Sequence, residues 1–247
     1  MEDSMWRENV LGWRARVGVI VPSTNLLVET ALPRLAPEGV TFHAARLTLT
    51  GAADVQGVQQ MAARVLDAAR DLATARVDLI AYCCTAGSFV QGPAHDREVA
   101  AEIRQAAGTR ALTTMSAIVE ALRHLGIRRP VVVSPYTAEL EKLEARYLEG
   151  EGFELSGSVA MGIADPVGLH DPTPGQIYRI ARGAWVDRAD GLLMSCIALR
   201  SHLVAGALER DLGRPVVTSL TATLWAILRA VGVGEPVRGY GRLLETP

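Results

Sequence analysis

The sequence predicts an α/β fold of two similar lobes, each a parallel sheet flanked by helices, with a cleft between them. Three observations predict it. Apolar runs of strand length alternate with stretches of helical periodicity, the pattern of strand–helix–strand units. Four of the runs, Val17–Val21, Leu79–Tyr82, Val131–Val133 and Leu192–Met194, are continuous, as strands covered on both faces are. The chain also repeats itself. Asp78 and Asp190 each precede a short apolar run that a cysteine closes six residues later, Cys84 and Cys196, at an offset of 196 − 84 = 112 residues. Val17–Pro22 echoes Pro130–Pro135 at 135 − 22 = 113, and Thr113–Ala117 echoes Thr218–Ala222 more loosely.

Taken in order, Arg16–Val21 reads as the first strand and Leu26–Leu35 as the first helix. Val40–Leu49 follows as a strand, Val55–Ala75 as one long helix, and Val77–Cys83 as the next strand. Arg97–Ala107 is helical, Arg110–Thr113 extended and Ala117–Leu125 helical, ending at Gly126. The second half repeats the order: strand Pro130–Ser134, helix Ala138–Glu149 up to Gly152, strand Phe153–Ala160, helix Gly175–Val186 and strand Gly191–Ser195. It closes with helix His202–Leu212 before Gly213, strand Pro215–Thr218 and helix Ala222–Ala230 before Gly232. The echoes divide the chain into a first lobe of residues 1–115 plus 220–247, the tail packing back, and a second lobe of 116–219.

The chain has 247 residues, 49% hydrophobic and 21% charged, with a net charge of −2, which is ordinary for a globular protein of this size. Lys and Arg are scattered, so there is no footprint for nucleic acid or an anionic membrane. No apolar run reaches the roughly 20 residues of a membrane span, and the charged start, Met1–Arg16, lacks the core of a secretion signal. The expected location is the cytoplasm. Three cysteines, two of them adjacent, do not make a disulfide framework. No Cys/His cluster has zinc spacing, so no metal is expected. The glycine-rich motifs of dinucleotide and triphosphate sites and the Gly-x-Ser-x-Gly elbow are missing.

Ligands of open α/β sheets bind beyond the carboxyl ends of the strands. Those ends carry Pro22-Ser23-Thr24-Asn25, Cys84-Thr85-Ala86-Gly87, Ser134-Pro135-Tyr136-Thr137 and Cys196-Ile197-Ala198. A lone cysteine is usually a small buried hydrophobe. Two at equivalent strand ends point instead to a thiol pair, and nearby backbone N–H donors are expected to lower the thiol pKa values. Cys83 is out of phase and reads as packing. Asn25 either caps the first helix, as Ser23 and Thr24 also can, or donates its amide to a carboxylate. Tyr136 either fills a gap or turns its hydroxyl to the cleft. Thr85 and the backbone amides of Ala86, Ile197 and Ala198 can form carboxylate nests, and Thr114 and Ser116 can add hydroxyls. No Lys or Arg occupies these ends, so a carboxylate there would be held by neutral donors.

These residues resemble the aspartate/glutamate racemase superfamily, in its branch of maleate cis–trans isomerases and arylmalonate decarboxylases. The resemblance rests on Gly18–Asn25, Ala81–Cys84, Gln91-Gly92-Pro93, Ser134-Pro135-Tyr136, Leu193–Cys196 and Gly239–Leu244, and is nearest the isomerases. It implies two pseudo-symmetric Rossmann-like lobes, no cofactor, and a small carboxylic acid substrate. It implies Cys84 as the nucleophile that adds to a double bond, Cys196 as the opposed acid and base, and Asn25 and Tyr136 as substrate contacts, with Pro22 and Ser23 beside them. It also allows a homo-oligomer. The decarboxylases have glycine at the first thiol position, so Cys84 argues against a plain decarboxylase. A two-thiol racemase or epimerase or an arylmalonate-type decarboxylase of a carboxylic acid, and a non-catalytic acid-binding accessory protein, are the alternatives. Isomerases of this branch carry an Asn where this chain has Pro166, and His170 is the expected substitute for the lost contact.

Overall fold

The computed structural model describes residues 11–246; positions 1–10 and 247 of the expected first lobe lie outside it. Two four-stranded sheets form, and every neighbouring pair of strands is parallel. The first has the order β2-β1-β3-β4, from β1 (Ala15–Pro22), β2 (Val40–Leu47), β3 (Leu79–Tyr82) and β4 (Arg110–Thr113). The second has the order β6-β5-β7-β8, from β5 (Pro130–Ser134), β6 (Gly157–Ala160), β7 (Gly191–Met194) and β8 (Val216–Thr218). In each sheet the chain steps from the first strand to one side and then returns to the other. The strand order therefore reverses between β1 and β3 and between β5 and β7, and a crevice opens at their carboxyl ends.

The repeated Asp has a structural job. Asp78 Oδ2 accepts the Arg16 N–H at 2.8 Å, and Asp190 Oδ1 accepts the Arg129 N–H at 2.8 Å. Each clamps the start of the neighbouring central strand to its own. The repeated Thr is a helix start. Thr113 and Ser116 form a capping box for α6 (Thr114–His124), and Thr218 and Thr221 form one for α10 (Ser219–Ala230). Both helices therefore begin three residues before the first periodic apolar position suggests.

Helices α1 (Val28–Leu35), α5 (Gly92–Ala107), α7 (Ala138–Gly150), α8 (Pro174–Ala184) and α9 (His202–Leu212) match the sequence reading within a few residues at most ends. Two features differ. The expected helix over 55–75 is two, α2 (Val55–Ala62) and α3 (Val65–Thr74). Met61 and Val58 turn toward the crevice while Ala69 and Leu72 pack on the sheet, so the two halves serve different surfaces. A short helix, α4 (Thr85–Phe89), follows β3 directly; all five of its residues are buried, which leaves no polar face to give a helical period.

Helices α6 and α10 pack against each other, and α10 also reaches β3 and β4 of the first sheet. Ten residues of α10, Ser219–Leu228, are buried. Full burial of each large apolar side chain among them stabilises by roughly 1.5–3 kcal/mol. One core cluster consequently runs through both sheets, with a smaller one on the outer face of the first. No helix among the described residues is long and apolar enough to cross a membrane.

Candidate active site

The two strand-order reversals face one cavity of about 50 Å³. Pro22 and Asn25 reach it from the end of β1, and Cys84, Thr85 and Ala86 from the end of β3. The second lobe supplies Tyr136 after β5 and Cys196, Ile197 and Ala198 after β7. Ser23 is the exception among the strand-end residues read as substrate contacts. Its hydroxyl turns to the backbone and accepts the Leu49 N–H at 3.0 Å.

The thiols are set by their turns. Cys84 caps α4, and its Sγ accepts the Gly87 N–H at 3.3 Å. A side chain at Gly87 would strike the Tyr82 hydroxyl and come within 3.1 Å of that sulfur, so the turn needs glycine. Cys196 has φ +82°, a left-handed conformation that costs a non-glycine residue of order 1–3 kcal/mol and that the surrounding structure must hold in place. The turns are joined directly: the Ile197 N–H donates to Thr85 Oγ1 at 3.1 Å, across 112 residues. That is the repeat offset, so residues equivalent in the two halves meet where the halves do.

The expected lowering of the thiol pKa values is corrected by burial. Cys84 is 6% exposed and Cys196 5% exposed. Burial pushes Cys84 up to about 11, against the Gly87 N–H and the Tyr82 hydroxyl, which favour the thiolate. Burial pushes Cys196 up to about 12, opposed by the Ala198 N–H and Tyr136 hydroxyl and reinforced by the charges of Cys84 and Glu144. The donors are present, but desolvation outweighs them. Cys83 is fully buried in the main core and away from the cavity, as its phase predicts.

Asn25 takes the capping role read for it at the start of α1. Its Oδ1 accepts the N–H groups of Leu27 at 2.8 Å and Val28 at 3.0 Å. The cap fixes the oxygen on the helix side and leaves the amide N–H₂ without a partner among the described residues, on a residue that lines the cavity. The Tyr136 hydroxyl has no hydrogen-bond partner of normal length and sits beside Thr85 and Cys196. The N–H groups of Thr85 and Ala86 open α4 and have no intrahelical acceptor. These are neutral donors suited to carboxylate oxygens.

Three other expectations fail. Thr114 donates to the Tyr82 carbonyl at 3.2 Å, and Ser116 is spent in the capping box, so neither adds a hydroxyl to the cavity. His170 lies on the outer side of the Asn25 loop, where its Nε2 is 3.2 Å from both the Leu26 N–H and the Thr24 carbonyl. It fastens that loop and does not replace the contact absent at Pro166, which itself lines the cavity.

Sequence reasoning missed the apolar wall. Leu49, Ala53, Val58 and Met61 cover the cavity from the first lobe, and Leu140 and Leu169 from the second. The two covering segments meet where the Ala53 N–H donates to the Ala164 carbonyl at 2.9 Å, again close to the repeat offset at 164 − 53 = 111. It also missed Glu144, fully buried on α7 with Leu140, Tyr147 and Leu148. A glutamate on the apolar i, i+4, i+7 face was the signal that could have found it. No group of three or more metal-ligating side chains occurs among the described residues.

Residues 17–244 match the arylmalonate decarboxylase family. The maleate isomerase of Nocardia farcinica is 33% identical over 240 residues, covering 93% of this chain and 95% of that protein. The crystal structure of the maleate isomerase Iso from Pseudomonas putida superposes with a TM-score of 0.89 at 30% identity, covering 94% of this chain and 98% of that one. A Nocardia farcinica maleate cis–trans isomerase mutant carrying a covalently bound succinylcysteine intermediate superposes with a TM-score of 0.89 at 29% identity and the same coverage.

Proposed function

Because the chain belongs to the arylmalonate decarboxylase family, we propose that it is a cofactor-independent cis–trans isomerase of a small unsaturated dicarboxylic acid, of the maleate-to-fumarate type. The observation that supports this most is the pair of cysteines, one from each half of the repeat, lining one cavity. Cys84 is the nucleophile and Cys196 the acid and base.

In this reading the Cys84 thiolate adds to one alkene carbon. The π pair moves to the neighbouring carbon and its carboxylate, and the central bond becomes single and turns. Cys196 gives a proton to that neighbouring carbon and takes it back. The returning pair rebuilds the double bond and expels the Cys84 thiolate, so atoms and charge balance. The succinylcysteine of the related isomerase is an adduct of this kind. Asn25, Thr85, Tyr136 and the N–H groups of Ala86 and Ala198 hold the carboxylates. Ile197 supports the site by binding Thr85, and Pro22 shapes it. The apolar wall keeps water from the adduct while the central bond turns.

The test is turnover of maleate, followed as fumarate by proton NMR. Cys84→Ala should lose on the order of 10³-fold or more in rate, the scale of removing a covalent nucleophile. Normal turnover by Cys84→Ala overturns the mechanism. Deuterated water separates the racemase reading: an enzyme that exchanges the α-hydrogen of a saturated acid without isomerising maleate is a two-thiol racemase. The same reading takes the lobes as 1–115 with 220–247 and 116–219, supported by the reach of α10 to the first sheet. It also takes the protein as cytoplasmic and as a homo-oligomer; light scattering of the purified chain checks the oligomeric state.

A further inference from the structure

Glu144 is a buried carboxyl that the mechanism above leaves unused. It is 1% exposed, on the buried face of α7, a helix that packs against α4, α5 with its Asp96, and β6. Its Oε1 accepts the hydroxyl of Ser195, the residue immediately before Cys196, and its Oε2 has no partner. The titratable groups that feel or influence it are Glu141 on its own helix, Tyr136 at the end of β5 and Cys196 after β7. A buried acid beside a strained thiol turn, with half its hydrogen-bonding capacity unspent, costs stability that packing alone does not require.

We propose that Glu144 is a positioning residue that acts through Ser195 on Cys196, holding the thiol's turn in place and, while uncharged, leaving that thiol free to cycle between thiol and thiolate. The proposal rests on the isomerase reading for its consequence in turnover, not for its effect on the thiol. Burial pushes the Glu144 carboxyl up to about 8, so it is uncharged near neutrality. When it ionises, its negative charge disfavours a second negative charge on Cys196. The step that sends a proton from Cys196 to the substrate carbon then becomes harder.

The experiment compares wild type with Glu144→Gln, which keeps the shape and the contact with Ser195 but cannot ionise. Two readouts are taken across pH: kcat/KM for maleate, and the rate of iodoacetamide modification of each cysteine, resolved by peptide mass spectrometry. The ratio of wild type to variant should be flat below about pH 7 and fall about tenfold above about pH 9 for both turnover and Cys196 modification, the size of a shift of about one pKa unit. Cys84 is the internal control and should show a smaller change. A Cys196 ratio that stays flat across the range assigns Glu144 a purely structural role and overturns the proposal. No maleate turnover by either protein, with the Cys196 ratio still breaking near pH 8, leaves this inference standing and removes the isomerase reading. If Glu144→Gln does not fold, Ser195→Ala serves. The Ser195 hydroxyl favours the ionised carboxylate, so its loss should move the break in Cys196 modification to higher pH, and an unmoved break overturns the proposal.

Discussion

A single atom decides much at Cys84. Its sulfur faces the Gly87 N–H and the Tyr82 hydroxyl in a space that a methyl group at position 87 would take. Gly87→Ala should therefore displace Tyr82 or open the turn. Either raises the Cys84 pKa and slows its alkylation by about tenfold or more, since one unit of pKa is a tenfold change in thiolate. Site-resolved alkylation rates check it, and an unchanged Cys84 rate in a folded variant contradicts it. Asp96 makes a second argument at this scale. It accepts the hydroxyls of Thr113 and Tyr147 at 2.8 Å each, and burial raises it to about 6 from an ordinary 3.8. A raised carboxyl binds more protons folded than unfolded between those values, so stability falls as pH rises through that window and stays lower above it. Asp96→Asn removes that slope. Its melting temperature relative to wild type should be higher above about pH 6 than below about pH 4, and an equal difference at both ends refutes the reading. The thiols were legible because a repeat exposes paired residues. Their pKa direction was not, since desolvation depends on what closes over them.

At the scale of elements, Asn25 joins a structural contact at the start of α1 to the donor role proposed for its amide. The two roles separate by substitution. Asn25→Asp keeps an oxygen for the Leu27 and Val28 N–H groups, loses the amide donor and adds a like charge facing an anionic substrate. It should stay folded with a melting temperature near wild type while KM rises and kcat/KM falls about a hundredfold, roughly the loss of one charge-bearing hydrogen bond. Asn25→Ala should lose the cap as well, costing about 1 kcal/mol. Equal damage to stability by both variants refutes the division. Strands and most helices were legible from continuous apolar runs and period. The first-turn residues of α6 and α10 were not, because capping boxes of Thr and Ser start a helix before any apolar period does. Nor was the break between α2 and α3, which no Gly or Pro marks. It follows from the two surfaces the segments cover.

For the whole molecule, the repeat is also a symmetry of contact. Thr85 meets Ile197 and Ala53 meets Ala164, each pair close to equivalent under the repeat, so the axis relating the lobes passes near the cavity floor and its roof. The floor joins two buried turns that follow central strands. The roof joins two irregular segments, held by one backbone hydrogen bond and by His170 against the Asn25 loop. With both cysteines at most 6% exposed, an opening of one of these joints is the expected route for a substrate. The roof is the weaker of the two joints, because irregular segments open at a lower free energy than core strands. Amide hydrogen exchange resolves the question. The Ala53 amide should exchange at least about a hundredfold faster than those of Val131–Val133, a difference of about 3 kcal/mol in opening free energy, and succinate, which has no double bond to attack, should slow it. Thr85→Val tests the floor. It leaves the buried Ile197 N–H without an acceptor, which costs about 1–3 kcal/mol of global stability. Roof exchange should change by no more than that loss. If Ala53 instead exchanges as slowly as the central strands, and ligand leaves it untouched, the roof is not the way in and access must come from the lobes parting at the floor.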